Sequence, residues 1–327
     1  MRRIAYLACV LIAGTGPAAA GCPGNENALG TSRVLTVEPS SVVRVGSMQY
    51  RHTLPLARRE VVLTFDDGPM PGMTAAVLGA LAAECVQATF FMVGRQAAAY
   101  PALVRKVYIA GHTIGTHSQN HPLSFHWMGT PRVNSEVANG ITSVAMALGS
   151  RQAVAPYFRI PGLLRSATVE KYLAAHALTV WSADVVADDW HRGIGARAIV
   201  RRAMQRLESK GGGILLLHDI QPATVVALPM LLKEMKKRGY RIVHVVPGGA
   251  RPAIAPALVA AADTGKQGWP RVAKASGQAG TQKPARHASR HHRRADAPAN
   301  PARNRRPKTE AAVVWWPFSR VQSASIR

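Results

Sequence analysis

Hydrophobic residues in the middle of the chain fall into short unbroken runs, separated by longer stretches of helical period. Val61-Val62-Leu63-Thr64-Phe65 shows no polar alternation, which predicts a strand buried on both faces. Runs at 88–93, 112–115, 157–160, 178–181, 214–217 and 242–246 predict further strands. Residues 74–83, 97–109, 131–148, 167–176, 196–210 and 223–238 carry helical patterns between them. Strand and helix alternating about seven times predicts parallel pairing through crossover helices, in a barrel or in an open doubly wound sheet. No glycine-rich fingerprint follows the first strand, which weakens the nucleotide-binding form of the open sheet.

The flanks read differently. Arg2 and Arg3, the apolar run 4–14 and Ala18-Ala19-Ala20 have the layout of a secretory signal peptide, with an apolar run too short to span a bilayer. Cleavage after Ala20 places Cys22 near the mature terminus, but Ala19 stands where a lipoprotein signal prefers leucine. Cys9 leaves with the signal, and Cys22 and Cys85 remain for an oxidising compartment, as a disulfide or as two separate thiols. The net charge is +24, and residues 251–327 hold 15 Lys and Arg against 3 Asp and Glu, so half the excess lies there. That segment is rich in Ala, Pro, Gly, Arg and His and reads as a disordered basic tail suited to an anionic envelope surface. Export argues against nucleic acid as its partner. A monomer without a membrane span in the mature chain is expected.

Chemistry on a parallel barrel gathers where strands end and loops begin. The first strand runs directly into Asp66-Asp67-Gly68-Pro69, adjacent acids at a turn, of which one can bind a metal while the other faces a substrate. The third predicted strand leads into His117-Ser118-Gln119-Asn120-His121, a pair of imidazoles at i and i+4. Asp67, His117 and His121 make a three-ligand set that leaves a coordination position open, which is a catalytic rather than a structural arrangement. Arg159 emerges from an apolar run and needs an anion, for which a catalytic carboxylate would serve. His218 at the mouth of 214–217 suits a general acid, and Asp184 after 178–181 suits a carboxylate that orients it.

Over residues 58–246 these segments together resemble the NodB-type polysaccharide deacetylases, carbohydrate esterase family four. Thr64-Phe65-Asp66-Asp67-Gly68-Pro69 is similar to the first family motif, His117-Ser118-Gln119-Asn120-His121 to the second and Arg159-Ile160-Pro161-Gly162 to the third. Asp184 with Asp189-Trp190 corresponds to the fourth, and Leu216-Leu217-His218-Asp219 to the fifth. There are two departures. Gly162 stands where an aromatic residue is common, and two extra residues precede Asp189-Trp190, which leaves Asp188 as an alternative to Asp189.

The resemblance implies a distorted (β/α)₇ barrel, an α/β fold, with one divalent metal on Asp67, His117 and His121, zinc first and cobalt or another transition ion after it. It implies Asp66 as general base held by Arg159, and His218 as general acid tuned by Asp184. Trp190 and Leu216 would line the acetyl pocket, and the backbone N–H of Gly162 would aid the oxyanion. The expected layout is a signal peptide (1–20), an N-terminal extension (21–57), the catalytic domain (58–248) and the basic tail (249–327). The expected reaction is removal of acetyl groups from N-acetylglucosamine-containing poly- or oligosaccharides, in the periplasm or outside the cell. O-deacetylation of a polymer such as xylan and non-catalytic carbohydrate binding are the rival readings.

Overall fold

The computed structural model describes residues 22–39 and 43–253, so the expected signal segment and all but the first residues of the expected tail lie outside the described residues. In chain order the elements are β1 (Thr31–Thr36), β2 (Arg44–Val45), β3 (Glu60–Asp66), α1 (Met73–Ala83), β4 (Thr89–Met92), α2 (Gly94–Ala99), α3 (Pro101–Ile109), β5 (Thr113–Thr116), α4 (Thr130–Leu148), β6 (Tyr157–Arg159), α5 (Ala167–Ala175), β7 (Thr179–Trp181), β8 (Val185–Val186), α6 (Ala196–Lys210), β9 (Gly213–His218), α7 (Pro222–Lys237) and β10 (Arg241–Val246). Short 3₁₀ turns occupy Phe125–Trp127 and Pro161–Leu163. No helix among the described residues is long and apolar enough to cross a membrane.

The fold is an α/β barrel built on parallel ladders. Strands β9, β3, β4, β5, β6 and β7 pair in that order, and β8 pairs the free edge of β9. The other edge of β7 is taken by β2, and the chain itself joins the two ends of this order across a three-residue break, 182–184, between β7 and β8. That break is one source of the distortion. The other is β10, which does not enter between β9 and β3. Val61 pairs Gly213 on one edge and Ile242 on the other, so β10 sits at the foot of β3 below β4, with β1 on its far side.

Alternation along the strands sorts the core into two shells. Val61, Leu63 and Phe65 face outward and pack with Phe90, Leu215 and Leu217 under the helices. Val62, Phe91, Tyr157, Trp181 and Ile214 face inward, where Val37, Val45, Leu54, Val243 and Val245 join them. Fully burying each such side chain is worth about 1.5–3 kcal/mol, so the lower lumen is a packed plug rather than a pore. The inward set of β3 continues upward from Val62 through Thr64 to Asp66, which delivers polar groups to the upper rim.

The residues before β3 are part of this body. Cys22 and Cys85 form a disulfide, which leaves the Cys22 sulfur with no thiol to lipidate. Asn25 Nδ2 donates to the Ala83 carbonyl at 2.8 Å, and Leu29 N to Glu84 Oε2 at 2.6 Å. The stretch expected as one helix over 97–109 is two, α2 and α3. Pro101 lacks an N–H and pushes Tyr100 out of the helical region (φ −130°, ψ 56°), which breaks the run.

Candidate active site

Four strands end in reactive groups on one rim. Asp66 is the last residue of β3, Arg159 of β6 and His218 of β9, and His117 follows directly on β5. Asp67 Oδ1 lies 3.2 Å from His121 Nε2 and 3.5 Å from His117 Nε2. The ligand atoms offered by Asp67, His117 and His121 all fall within 4.8 Å of one another. The backbone is bent to achieve this: Asp67, Ser118 and His121 have φ of 76°, 63° and 55°. A left-handed conformation at a non-glycine residue costs about 1–2 kcal/mol, so the two turns carry local strain.

The first turn is braced from below. Thr74 Oγ1 accepts from Met70 N at 2.8 Å and donates to Asp219 Oδ2 at 2.6 Å. A Cβ on Gly68 would fall 2.3 Å from that same Asp219 oxygen, so only glycine fits there. Burial, with the charge of Asp67 adding to it, pushes the Asp219 carboxyl up to about 7, against the Thr74 hydrogen bond. Both turns are stitched to the residues that follow β4: Val93 N donates to Gly68 O in the first at 3.0 Å, and Gly94 N to Ser118 O and Arg95 N to Gln119 O in the second, each at 2.9 Å.

Electrostatics prepare the triad for a cation. His117 Nδ1 lies 2.6 Å from the Arg159 carbonyl, which can only accept, so that nitrogen carries the proton and Nε2 keeps its lone pair. Burial, only partly offset by Asp66 and Asp67, pulls the His117 imidazole down to about 4, which keeps it neutral. Burial pushes the Asp67 carboxyl up, but His121, His218, His117 and Arg95 outweigh it, and the net shift is downward. Asp67 Oδ1 is buried and makes no hydrogen bond. Two imidazole nitrogens and an orphaned carboxylate oxygen facing one point suit a borderline-soft divalent ion.

Asp66 lies beside this group, its Oδ2 3.8 Å from His117 Nε2. Arg159, fully buried, donates from Nη1 to Asp66 Oδ1 at 2.7 Å and to Thr64 Oγ1 at 2.8 Å, and from Nη2 to Ser182 O at 3.0 Å. Its guanidinium stacks on Phe91 at 4.2 Å, an arrangement that fixes Asp66 and leaves its second oxygen for a proton.

The partner of His218 is Asp189, which corrects the expected role of Asp184. Asp189 Oδ1 lies 2.8 Å from His218 Nδ1, and Oδ2 accepts from His218 N at 2.7 Å and from Thr224 Oγ1 at 2.6 Å. Burial lowers the His218 pKa, but Asp189, with Asp67 and Asp66 behind it, more than reverses this and raises it to about 10. Asp184 instead accepts from Ser47 N at 2.6 Å, Thr53 Oγ1 at 2.7 Å and Ile214 N at 2.8 Å, at the foot of β9. It ties the N-terminal segment to the barrel and never reaches His218. Asp188 does not substitute for Asp189 either. It has φ 55°, and its carboxylate is gripped by Arg206 at 2.8 Å through both oxygens and by Arg202 at 3.2 Å. The turn that carries Asp188 is thus clamped to α6, a device that the sequence did not announce.

Trp190 stands edge-on to His218, with ring centroids 5.5 Å apart, and Leu216 is on the same inward set of β9 as His218. Gly162 is exposed at φ 60°, and a Cβ there would meet Leu123 at 3.2 Å, so the left-handed turn fits glycine where a bulkier residue would be strained.

A polysaccharide deacetylase family model matches residues 54–181. A peptidoglycan-N-acetylglucosamine deacetylase of Bacillus cereus is 33% identical over 198 residues, covering 59% of this chain and 89% of that protein. A chitooligosaccharide deacetylase of a Bradyrhizobium species is 32% identical over 205 residues, covering 58% and 90%. Among solved structures, a Bdellovibrio bacteriovorus peptidoglycan deacetylase matches with a TM-score of 0.59 at 30% identity, over 66% of this chain and 59% of that one. A family 4 carbohydrate esterase from Streptomyces lividans, in complex with acetate, matches with a TM-score of 0.50 at 33% identity, over 58% and 92%.

Proposed function

The chain belongs to the polysaccharide deacetylase family, and on that footing we propose that it is a metal-dependent hydrolase that removes N-acetyl groups from N-acetylglucosamine-containing glycans, releasing acetate. The observation that carries this reading is the convergence of Asp67, His117 and His121 on one point beside Asp66, with His218 facing them.

Asp67, His117 and His121 would hold the cation, zinc first and cobalt or another transition ion after it. Such an ion supplies Lewis acidity, lowering the pKa of water towards about 7 and stabilising charge on the acetyl oxygen. The chain's own groups do the rest. Asp66, held by Arg159, takes a proton from the attacking water as the new C–O bond forms. The C–N bond then breaks, and the amine cannot leave as an anion. His218, kept protonated by Asp189, gives it a proton. The Gly162 N–H would face the acetyl oxygen, and Trp190 with Leu216 would enclose the methyl. Export to the periplasm or the cell exterior is part of the proposal, supported by the Cys22–Cys85 disulfide, which persists in oxidising compartments.

The test is acetate release from chitooligosaccharides and from peptidoglycan fragments, before and after chelation, with bound metal quantified in both states. We expect release to stop on chelation and to return with zinc or cobalt. Undiminished release from protein with no measurable metal would overturn the proposal.

A further inference from the structure

The turn that carries both histidine ligands, 117–121, belongs to no helix or strand, so its backbone groups need partners from outside. Ser118 and His121 are also held in the left-handed region, a strain that persists only where the surroundings enforce it. The carbonyls of Ser118 and Gln119 are taken by Gly94 N and Arg95 N. On the other side, the free N–H groups are taken by one residue, Glu136 of α4. Glu136 Oε2 accepts from Asn120 N at 2.8 Å and from Gln119 N at 3.1 Å, and Oε1 accepts from Asn120 Nδ2 at 2.8 Å. The next donor, His121 N, closes within the turn onto Ser118 Oγ at 3.0 Å. Glu136 forms no ion pair among the described residues, so its carboxylate is left to this turn.

The rest of that face of α4 is shaped to the same contact. Residues 136, 140 and 143 share one face at helical spacing. A Cβ on Gly140 would fall 2.7 Å from Ser118 C and 2.9 Å from Ser118 O, backbone atoms that cannot swing aside, so glycine lets the turn lie flush on the helix. Ser143 Oγ donates to Gln119 Oε1 at 2.9 Å. A Cβ on Gly94 would in turn fall 2.8 Å from Gly140 Cα, so the two clamps on the turn are themselves packed together. The product of this packing is His121 Nε2 at 3.2 Å from Asp67 Oδ1, with its ring 4.8 Å from that of His117.

We infer that Glu136 is a positioning residue for the cation: with Gly140 and Ser143 it holds the 118–121 turn in the shape that brings His121 to His117 and Asp67, and metal affinity depends on it although it offers no ligand atom. This rests on the metal-dependent reading above.

The experiment titrates the zinc-loaded full chain with a competing chelator and reads the Kd for zinc, with no substrate present. Groups that orient metal ligands from behind change affinity by about 10–100-fold, and Glu136 is only half-buried, so zinc should bind about tenfold more weakly in Glu136→Ala. Two variants separate position from charge. Glu136→Gln keeps the length and an acceptor oxygen, and its NH₂ can meet Asn120 once that amide is turned, so it should bind zinc nearly as wild type does. Glu136→Asp keeps the charge but is one methylene too short, so it should lose affinity as alanine does. The visible absorption of the cobalt-loaded Ala and Asp variants should change with the ligand geometry. Ser135→Ala removes an exposed hydroxyl bonded within α4 and should change neither readout. Wild-type zinc affinity in the Ala and Asp variants overturns the inference. So does a Gln variant as weak as Ala, because charge rather than position would then be at work. Should the Ala variant not fold, the Gln and Asp pair carries the same comparison. Wild-type protein that holds no zinc overturns the metal reading and this inference with it.

Discussion

Replacing Asp189 with asparagine separates the acid's true partner from the carboxylate that its strand position suggested. Asp189 receives three donors, His218 Nδ1, His218 N and Thr224 Oγ1, at 2.8, 2.7 and 2.6 Å. An asparagine offers one oxygen and one NH₂ group, so at least one buried donor would face another donor. Losing a charge-assisted hydrogen bond costs about 1.5–3 kcal/mol. At about 1.4 kcal/mol per pKa unit, this lowers the His218 pKa by about one to two units. The sign follows from the role. His218 must be protonated to donate, so activity is lost as pH rises through its pKa, and Asp189→Asn brings that loss to lower pH. A cation at Asp67 offsets the pull of Asp66 and Asp67 in wild type and variant alike, so the difference between the two basic limbs is the quantity to read. The assay is kcat for acetate release against pH, with Asp184→Asn as the control. Asp184 also accepts three hydrogen bonds, from Ser47, Thr53 and Ile214, so its variant should lose about 1–3 kcal/mol of stability and leave the basic limb in place. A limb that stays put in Asp189→Asn, or moves in Asp184→Asn, refutes the reasoning.

His117→Ala should abolish bound zinc as measured by plasma mass spectrometry, whereas Asp66→Asn should keep the metal and lose most turnover, because only the first removes a ligand atom. Arg206→Gln should unfasten the Asp188 turn and lower kcat several-fold with little change in KM, and lysine should rescue it poorly because the grip on both carboxylate oxygens is lost. Reducing Cys22–Cys85 should cost about 2–4 kcal/mol, visible as a lower melting temperature in reductant, with the metal content of the folded protein unchanged.

How far the site could be read from the sequence depended on what kind of event ended each strand. Asp66, Arg159 and His218 were legible because each closes an apolar run, and in a parallel barrel a closed run delivers its last inward residue to the rim. The extension before β3 was not legible as part of the barrel. β1 has only intermediate and exposed positions in alternation, and β2 is two residues long, so neither makes a hydrophobic signal. Asp184 failed for a more instructive reason. It stands three residues past the end of β7, so the rule for a closed run assigns it to the rim. The strand has not closed, however. After residues 182–184 it resumes as β8, and Val185 pairs Leu215 while Asp184 N donates to Ile214 O. Asp184 is therefore level with the foot of β9, and the four residues from Ile214 to His218 at about 3.3 Å each put about 13 Å between it and the acid. Asp189 reaches His218 because it lies beyond the resumed strand, and the residue before it, Asp188, is held in its turn by Arg202 and Arg206. A hydrophobic run reports where a strand stops. Whether the chain then leaves the sheet or breaks and rejoins it is decided by pairing with a strand some thirty residues away, and that information is in the register rather than in the run.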